Sequence, residues 1–222
     1  DVARHFAQAL FDEIIQKADV TMVLPVGPVD QFPLLAQMIN QAGLDCREVA
    51  IINMDEYLSG DDWVSIDHPL SFRGYMDRKF YELLDPNLAP CAENRIFPDP
   101  RNLSMVQEVI GARGGLDVCY GGIGINGHIA FNEPPEPGET VDTGEFAARS
   151  TRVLSLTRET ITINSNTVGG ELSIIPRLAV TVGMKEILAA RRLRFYCNRP
   201  WQSAVIRRVL HGPVTAACPA SL

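Results

Sequence analysis

The stretch LDVCYGGIGINGHIAFNEPPEPG, residues 116–138, joins a short apolar run to a glycine-rich loop. Three glycines, Gly122, Gly124 and Gly127, have the spacing G-x-G-x-x-G that is typical of a dinucleotide-binding turn. Such a turn opens a helix, but the two prolines after Glu133 would end any helix within about a turn and a half. The loop is therefore a weak candidate for binding a nucleotide, and its polar side chains remain for other chemistry.

Short apolar runs recur along the chain and alternate with segments of helical periodicity. The strand candidates are residues 20–25, 48–53, 116–120, 178–182 and 193–197. The helix candidates are residues 2–17, 30–42, 69–84, 103–113, 184–191 and 201–210. Because several strand candidates are continuous apolar runs, helices should cover both faces of the sheet. The pattern predicts a single α/β domain over residues 1–222, with three layers, α/β/α, and a mostly parallel sheet.

Composition narrows the class of protein. The 222 residues are 46% hydrophobic, which is enough for a substantial core, and they carry a net charge of −7. That charge argues against nucleic-acid binding, which needs clustered lysine and arginine. No apolar stretch approaches the ~20 residues of a membrane span, and no signal peptide is visible. Five widely spaced cysteines without a C-x-x-C pair indicate reduced thiols rather than disulfides or a zinc site. We therefore expect a cytoplasmic protein that binds no membrane.

The loops that follow the predicted strands are the candidate sites, because ligands of open α/β sheets bind at the carboxyl ends of strands. These loops are 25–31, 53–62, 121–138 and 198–202. Taken alone, His128 is a candidate for a half-buried structural histidine, and Asp55 for the N-cap of a helix. Together, a carboxylate on one loop and the pair His128–Glu133 on another predict general acid–base catalysis.

Several motifs occur in one order along nearly the whole chain. They are NMDEY at 53–57, HPLS at 68–71, GIGINGHIAFNEP at 122–134, AVTVG at 179–183, GPVT at 212–215 and CPAS at 218–221. With these motifs the chain resembles the glucosamine-6-phosphate deaminase (isomerase) family. The string GHIAFNEP is quite specific, since the related 6-phosphogluconolactonases continue differently after their Gly-His. The resemblance implies a modified Rossmann-like α/β/α domain that binds no nucleotide.

The resemblance also implies an activity. Members convert an amino-sugar phosphate, of the glucosamine-6-phosphate or galactosamine-6-phosphate type, to a keto-sugar phosphate and ammonia, without metal or organic cofactor. By resemblance Asp55 is the base that moves a proton from C2 to C1, and His128 is the group that opens the sugar ring. Glu133 would orient His128, and Asn126 would hold it by a hydrogen bond. The residues expected to bind the substrate are Glu56, Gly27, Gly124, Gly127, Arg199 and Gln202.

Three segments depart from the family pattern where the family binds phosphate. The loop after the first strand, LPVGPVDQF at 24–32, lacks hydroxyl side chains, has a proline in place of a glycine, and adds the negative charge of Asp30. The segment that aligns with the family's lid helix, 159–166, has no arginine. Gln202 stands where a lysine is usual, and Arg199 is the candidate substitute. These departures predict weakened phosphate binding.

Weakened phosphate binding leaves three alternatives. The chain is an enzyme with an altered substrate, a non-catalytic sensor of a sugar or sugar phosphate, or a lactone hydrolase related by fold. The joint presence of Asp55, His128 and Glu133 favours an enzyme, because a sensor has no physical need for a base at C2. The expected partner is a small-molecule sugar or sugar phosphate, and assembly into a homo-oligomer stays open.

Overall fold

A parallel and an antiparallel sheet organise the chain in the computed structural model, which describes residues 1–27 and 30–222. The strands are β1 (Thr21–Leu24), β2 (Ala50–Asn53), β3 (Asp55–Ser59), β4 (Asp62–Trp63), β5 (Arg95–Ile96), β6 (Val118–Gly121), β7 (Arg152–Ser155), β8 (Leu178–Thr181) and β9 (Leu193–Phe195). The helices are α1 (Val2–Gln16), α2 (Gln31–Ala42), α3 (Phe72–Lys79), α4 (Met105–Ala112), α5 (Thr143–Ala147), α6 (Arg158–Asn164), α7 (Met184–Leu188) and α8 (Gln202–His211). Pro28 and Val29, which belong to the loop predicted to bind phosphate weakly, lie outside the described residues.

The five-stranded sheet is parallel throughout and has the order β5-β2-β1-β6-β9. Successive side chains of a strand point to opposite faces of its sheet. Met22 and Leu24 of β1 therefore pack into one hydrophobic core, and Val23 between them packs into another. The continuous apolar runs in the sequence follow from this burial on both faces.

Helices cover both faces of the parallel sheet. On one face α1, α2 and α3 contribute buried side chains that include Phe6, Phe32 and Met76. On the other face α4, α5 and α7 contribute buried side chains that include Val106 and Phe146. The predicted three-layer α/β/α fold with a mostly parallel sheet is confirmed.

The antiparallel sheet, with the order β4-β3-β8-β7, corrects the prediction that residues 53–62 form a loop. The chain crosses from one sheet to the other at Met54. Its N–H donates to the Leu24 carbonyl of the parallel sheet (3.1 Å), and its carbonyl accepts from the Val182 N–H beside β8 (2.7 Å). Asp55 is thus the first residue of a paired strand rather than the N-cap of a helix, and it directly follows the residue that bonds to both sheets.

Two helices are shorter than their sequence patterns predict. Ser71 caps α3, because its side-chain oxygen accepts a hydrogen bond from the Gly74 N–H (3.1 Å). The helix ends at Lys79, and a 3-10 turn replaces the predicted continuation to Leu84. Helix α7 likewise ends at Leu188 instead of reaching residue 191.

Candidate active site

A cavity of about 700 Å³ lies where the segments that follow β1, β2, β6 and β9 meet. These four strands are neighbours in the parallel sheet and run in one direction, so their carboxyl ends lie at the same edge. The start of α3 and the end of α6 complete the wall of the cavity. Each of the four loops selected from the sequence contributes residues to this lining.

His128 lies on the cavity wall and is held through one ring nitrogen. Its Nδ1 is 2.8 Å from Asn126 Oδ1 and 3.1 Å from Glu133 Oε2. Asn126 Nδ2 in turn donates to Glu133 Oε2 (2.7 Å). Two acceptors at Nδ1 favour the tautomer that carries its proton there, which leaves Nε2 as the nitrogen that can exchange a proton with a ligand.

Glu133 is buried but ionised. Burial alone would raise the pKa of its carboxyl, but hydrogen bonds from His128, Thr160 and Asn126, together with the charge of His128, outweigh burial and lower that pKa to about 2. A fixed carboxylate beside Nδ1 stabilises the imidazolium that forms when Nε2 takes up a proton. The sequence-predicted trio of His128, Glu133 and Asn126 is therefore one hydrogen-bonded unit.

Two threonines that sequence analysis missed complete this unit. Thr160 is fully buried, and its Oγ1 lies 3.3 Å from His128 Nδ1. Thr157 is the N-cap of α6; its N–H donates to Glu133 Oε1 (3.3 Å), and its side chain accepts from Asn126 Nδ2 (3.2 Å). The only sequence signal for these contacts was a threonine at a helix start, which commonly marks a cap.

Asp55 faces the cavity from the start of β3. Its side chain has no hydrogen-bond partner in residues 1–27 and 30–222, although the residue is only 8% exposed. Burial, with a smaller contribution from the charge of Glu56, raises the pKa of the Asp55 carboxyl well above its usual range. A buried carboxyl that opens only toward a cavity is arranged to exchange a proton with a bound molecule.

Glu56 does not reach the cavity, contrary to its predicted role in substrate binding. It is fully buried, and its carboxylate accepts hydrogen bonds from the N–H groups of Phe72 (3.0 Å) and Arg73 (2.8 Å) and from the hydroxyl of Ser71 (3.0 Å). Glu56 therefore binds the N-terminus of α3, where a negative charge is favourable. Its function is to fix the helix that forms part of the cavity wall.

The three glycines predicted to contact substrate have different surroundings. Gly27 and Gly124 line the cavity, and a Cβ on Gly124 would collide with His128 Nε2. Gly127 does not line it. Its φ of +94° favours glycine, a Cβ there would lie 2.8 Å from Cys218 Sγ, and its carbonyl accepts from the Ala220 N–H (2.8 Å). Gly127 therefore docks the C-terminal segment.

Arg199 and Gln202 both line the cavity beyond β9. Arg199 is exposed, and its guanidinium forms no ion pair with any described residue. Gln202 is 4% exposed and uses both ends of its amide on the protein. Its Oε1 accepts from the Arg199 N–H (2.8 Å), and its Nε2 donates to the Ile123 carbonyl (2.9 Å). Gln202 thus ties the β9 segment to the loop that carries His128.

Two kinds of site are absent from the part of the chain that the structure describes. No group of three or more histidine, cysteine, aspartate or glutamate side chains is placed to hold a metal ion. No helix within the same residues has the length and apolar character needed to cross a membrane.

Comparison with known proteins places the chain in a family. No family model matches it. A curated protein of Cellvibrio japonicus named glucosamine-6-phosphate deaminase is 32% identical over 228 residues, which cover 99% of this chain and 80% of that protein. The chain belongs to the glucosamine-6-phosphate deaminase family. The resemblance seen in the sequence motifs is thereby confirmed.

Solved structures of a deaminase and of a 6-phosphogluconolactonase share the fold of this chain. A monomeric glucosamine-6-phosphate deaminase aligns with a TM-score of 0.83 at 24% identity and covers all of this chain, matching 88% of that one. A 6-phosphogluconolactonase from Thermotoga maritima aligns with a TM-score of 0.66 at 12% identity, over 99% of this chain and 90% of that one. At these identities the likeness shows a shared fold. This chain has that fold and also contains the GHIAFNEP string of the deaminase family.

Proposed function

We propose that the chain is an enzyme that isomerises and deaminates an amino sugar by acid–base catalysis. The observation that carries the proposal is the convergence of two groups on one cavity: the carboxyl of Asp55, which has no hydrogen-bond partner among the described residues, and His128 beside the ionised Glu133. The amino sugar is suggested by relatives named glucosamine-6-phosphate deaminase.

In the first step His128 opens the sugar ring. Its Nε2 takes the proton of the C1 hydroxyl and delivers a proton to the ring oxygen, while the C1–oxygen bond of the ring breaks and a C1 carbonyl forms. Glu133 and Asn126 hold the imidazole through Nδ1 during this exchange. The charge of Glu133 stabilises the imidazolium that forms in passing.

In the second step Asp55 moves a proton from C2 to C1. Because its pKa is raised, the ionised carboxyl binds a proton more strongly than an exposed aspartate does, and a substrate ammonium nearby favours the ionised form. Asp55 takes the C2 proton while a proton of the substrate ammonium passes to the C1 oxygen, and this gives a neutral enolamine. Asp55 then returns its proton to C1, which leaves a protonated imine at C2. Water then replaces the nitrogen, so a ketose and ammonia leave.

Ammonia release from amino sugars and their phosphates tests this proposal. Asp55→Asn should lower kcat by roughly 10³-fold, within the range expected for loss of a general base. Asp61→Asn is the matched control, since Asp61 is an exposed aspartate on the turn after the same strand. Equal rates for Asp55→Asn and the parent protein would remove Asp55 from the mechanism.

Lactone hydrolysis is a second candidate, favoured by the fold shared with 6-phosphogluconolactonases. In that reaction His128 would activate a water molecule and Asp55 would have no proton to move. Loss of lactone at equal rates in the parent protein and Asp55→Asn, without ammonia release from any amino sugar, would favour the hydrolase. Saturable sugar binding without any product would favour a sensor.

A further inference from the structure

The charges that line the cavity are unfavourable for a phosphate ester. Among the described lining residues Arg199 carries the one permanent positive charge, and Asp30 is the acid that lies outside the proposed proton-exchanging pair of Asp55 and His128. A phosphate monoester has a charge of about −1.5 to −2 near neutral pH. Phosphate sites in proteins supply several charge-assisted donors, so one exposed guanidinium opposed by the carboxylate of Asp30 is a poor match.

Helix α2 begins at the cavity but does not offer an anion site. Its N-cap residue is Asp30, whose side chain makes no capping hydrogen bond and so leaves its negative charge at the helix end. The third residue of the helix, Pro33, has no N–H to donate. A helix N-terminus attracts anions through free N–H groups and its positive dipole end, and both are reduced here.

Three backbone donors at the start of α8 are already in use. The Arg199 N–H donates to Gln202 Oε1 (2.8 Å), the Gln202 N–H to the Arg199 carbonyl (3.0 Å), and the Ser203 N–H to the Pro200 carbonyl (3.2 Å). A phosphate group that bound any of these three N–H groups would have to displace its present hydrogen bond.

Neutral hydroxyl groups match the same lining better. Trp201, which is 39% exposed, and Tyr75 present aromatic rings to the cavity. Asn198 and Thr167 present an amide and a hydroxyl. Aromatic faces beside a few neutral donors and acceptors suit the CH and OH groups of an uncharged sugar.

From this lining we infer that the substrate is an amino sugar without a phosphate ester, whose hydroxyl groups are held by Tyr75 of α3, by Thr167 after α6, and by Asn198 and Trp201 after β9. The inference rests on the proposed function for the reaction itself. The inference adds one claim to the proposed function: the end of the substrate that does not react carries no phosphate charge.

Matched pairs of ligands test the inference. Ammonia release is measured from glucosamine and galactosamine and from their 6-phosphates. We expect kcat/KM to be at least about 10-fold higher for the unphosphorylated member of a pair, equivalent to about 1.4 kcal/mol. A preference for the phosphorylated member overturns the inference and leaves the proposed function standing.

Binding measured without turnover tests the preference for an unphosphorylated sugar separately from the proposed reaction. The reduced, open-chain amino alditols cannot isomerise, and calorimetry gives their affinities with and without the phosphate. Tighter binding of the unphosphorylated alditol, with no ammonia from any sugar, would overturn the proposed function alone. Tighter binding of the phosphorylated alditol, or no binding of either, would overturn the inference.

A charge reversal provides an independent check. Asp30→Lys should improve the affinity for the phosphorylated alditol relative to the unphosphorylated one by roughly 10-fold, because an attracting charge replaces a repelling one. Asp61→Lys, on an exposed turn, adds the same charge away from the lining and serves as the control. An equal effect of Asp30→Lys on both alditols would contradict the role assigned to Asp30.

Discussion

Gly124 leaves the space that the imidazole of His128 occupies, and so it sets the position of the proposed catalytic ring. Because a Cβ there would collide with His128 Nε2, Gly124→Ala should displace the ring and lower kcat by about 10²-fold or more, as expected when a proton-exchanging group is misplaced. Gly122→Ala is the control in the same loop, since its Cβ would meet Tyr196 O at an ordinary 3.7 Å. Steady-state ammonia release measures both variants. Equal activities would show that the imidazole does not need the space over Gly124.

Asp55 and Glu56 show what a sequence can and cannot predict about adjacent residues. Two neighbouring acids on a loop could both reach a ligand, and the loop assignment led to that expectation. On a strand, successive side chains point to opposite faces, so Asp55 faces the cavity while Glu56 faces the N-terminus of α3. The trio around His128 was easier to predict, because its members lie within eight residues of one loop.

Helix α3 depends on Glu56 for its position. Glu56→Ala would leave the N–H groups of Phe72 and Arg73 without their buried acceptor, so we expect the free energy of unfolding to fall by about 3 kcal/mol. Ser71→Ala removes the N-cap hydrogen bond of the same helix and one of the hydrogen bonds to Glu56, and the expected loss is about 1.5 kcal/mol. Urea denaturation followed by circular dichroism measures both. A smaller loss for Glu56→Ala than for Ser71→Ala would contradict this assignment.

The two sheets differ in how far their elements could be predicted. The central strands β1, β2 and β6 of the parallel sheet are buried on both faces, and this makes them visible as continuous apolar runs. The strand β3 begins with two acids, and β7 alternates between half-buried and exposed residues, so neither has such a run. Both strands pair with β8. For β3 this partner is far away in the sequence, so no local pattern marks the pairing.

Across the whole molecule, the fold shifts two buried carboxyls in opposite directions. The pKa of Glu133 is lowered to about 2, so its ionised form stabilises the folded chain above its ordinary pKa of 4.5, and that stabilisation is lost as pH falls toward 2. The pKa of Asp55 is raised by burial, so its ionised form destabilises the folded chain. Apolar burial in the two cores of the parallel sheet offsets the destabilisation by ionised Asp55, which lies where the proposed reaction needs a base.

The unfavourable charge predicts that Asp55→Asn stabilises the protein while it removes turnover. The parent chain loses stability as pH rises above the ordinary pKa of 3.8, because the unfolded state then releases the Asp55 proton more readily than the folded state does. An asparagine has no proton to release, so the gain in Tm should grow from near zero at about pH 4. By pH 8 it should reach about 2 °C or more, the shift that roughly 1 kcal/mol produces in a chain of this size.

Thermal unfolding of both proteins across this pH range measures the difference. Asp61→Asn, which removes an exposed carboxylate from the following turn, should show no such trend. A constant difference in Tm between Asp55→Asn and the parent protein would contradict a raised pKa at Asp55. A growing difference combined with lost ammonia release would show that the proposed reaction requires a residue whose ionised form destabilises the folded state.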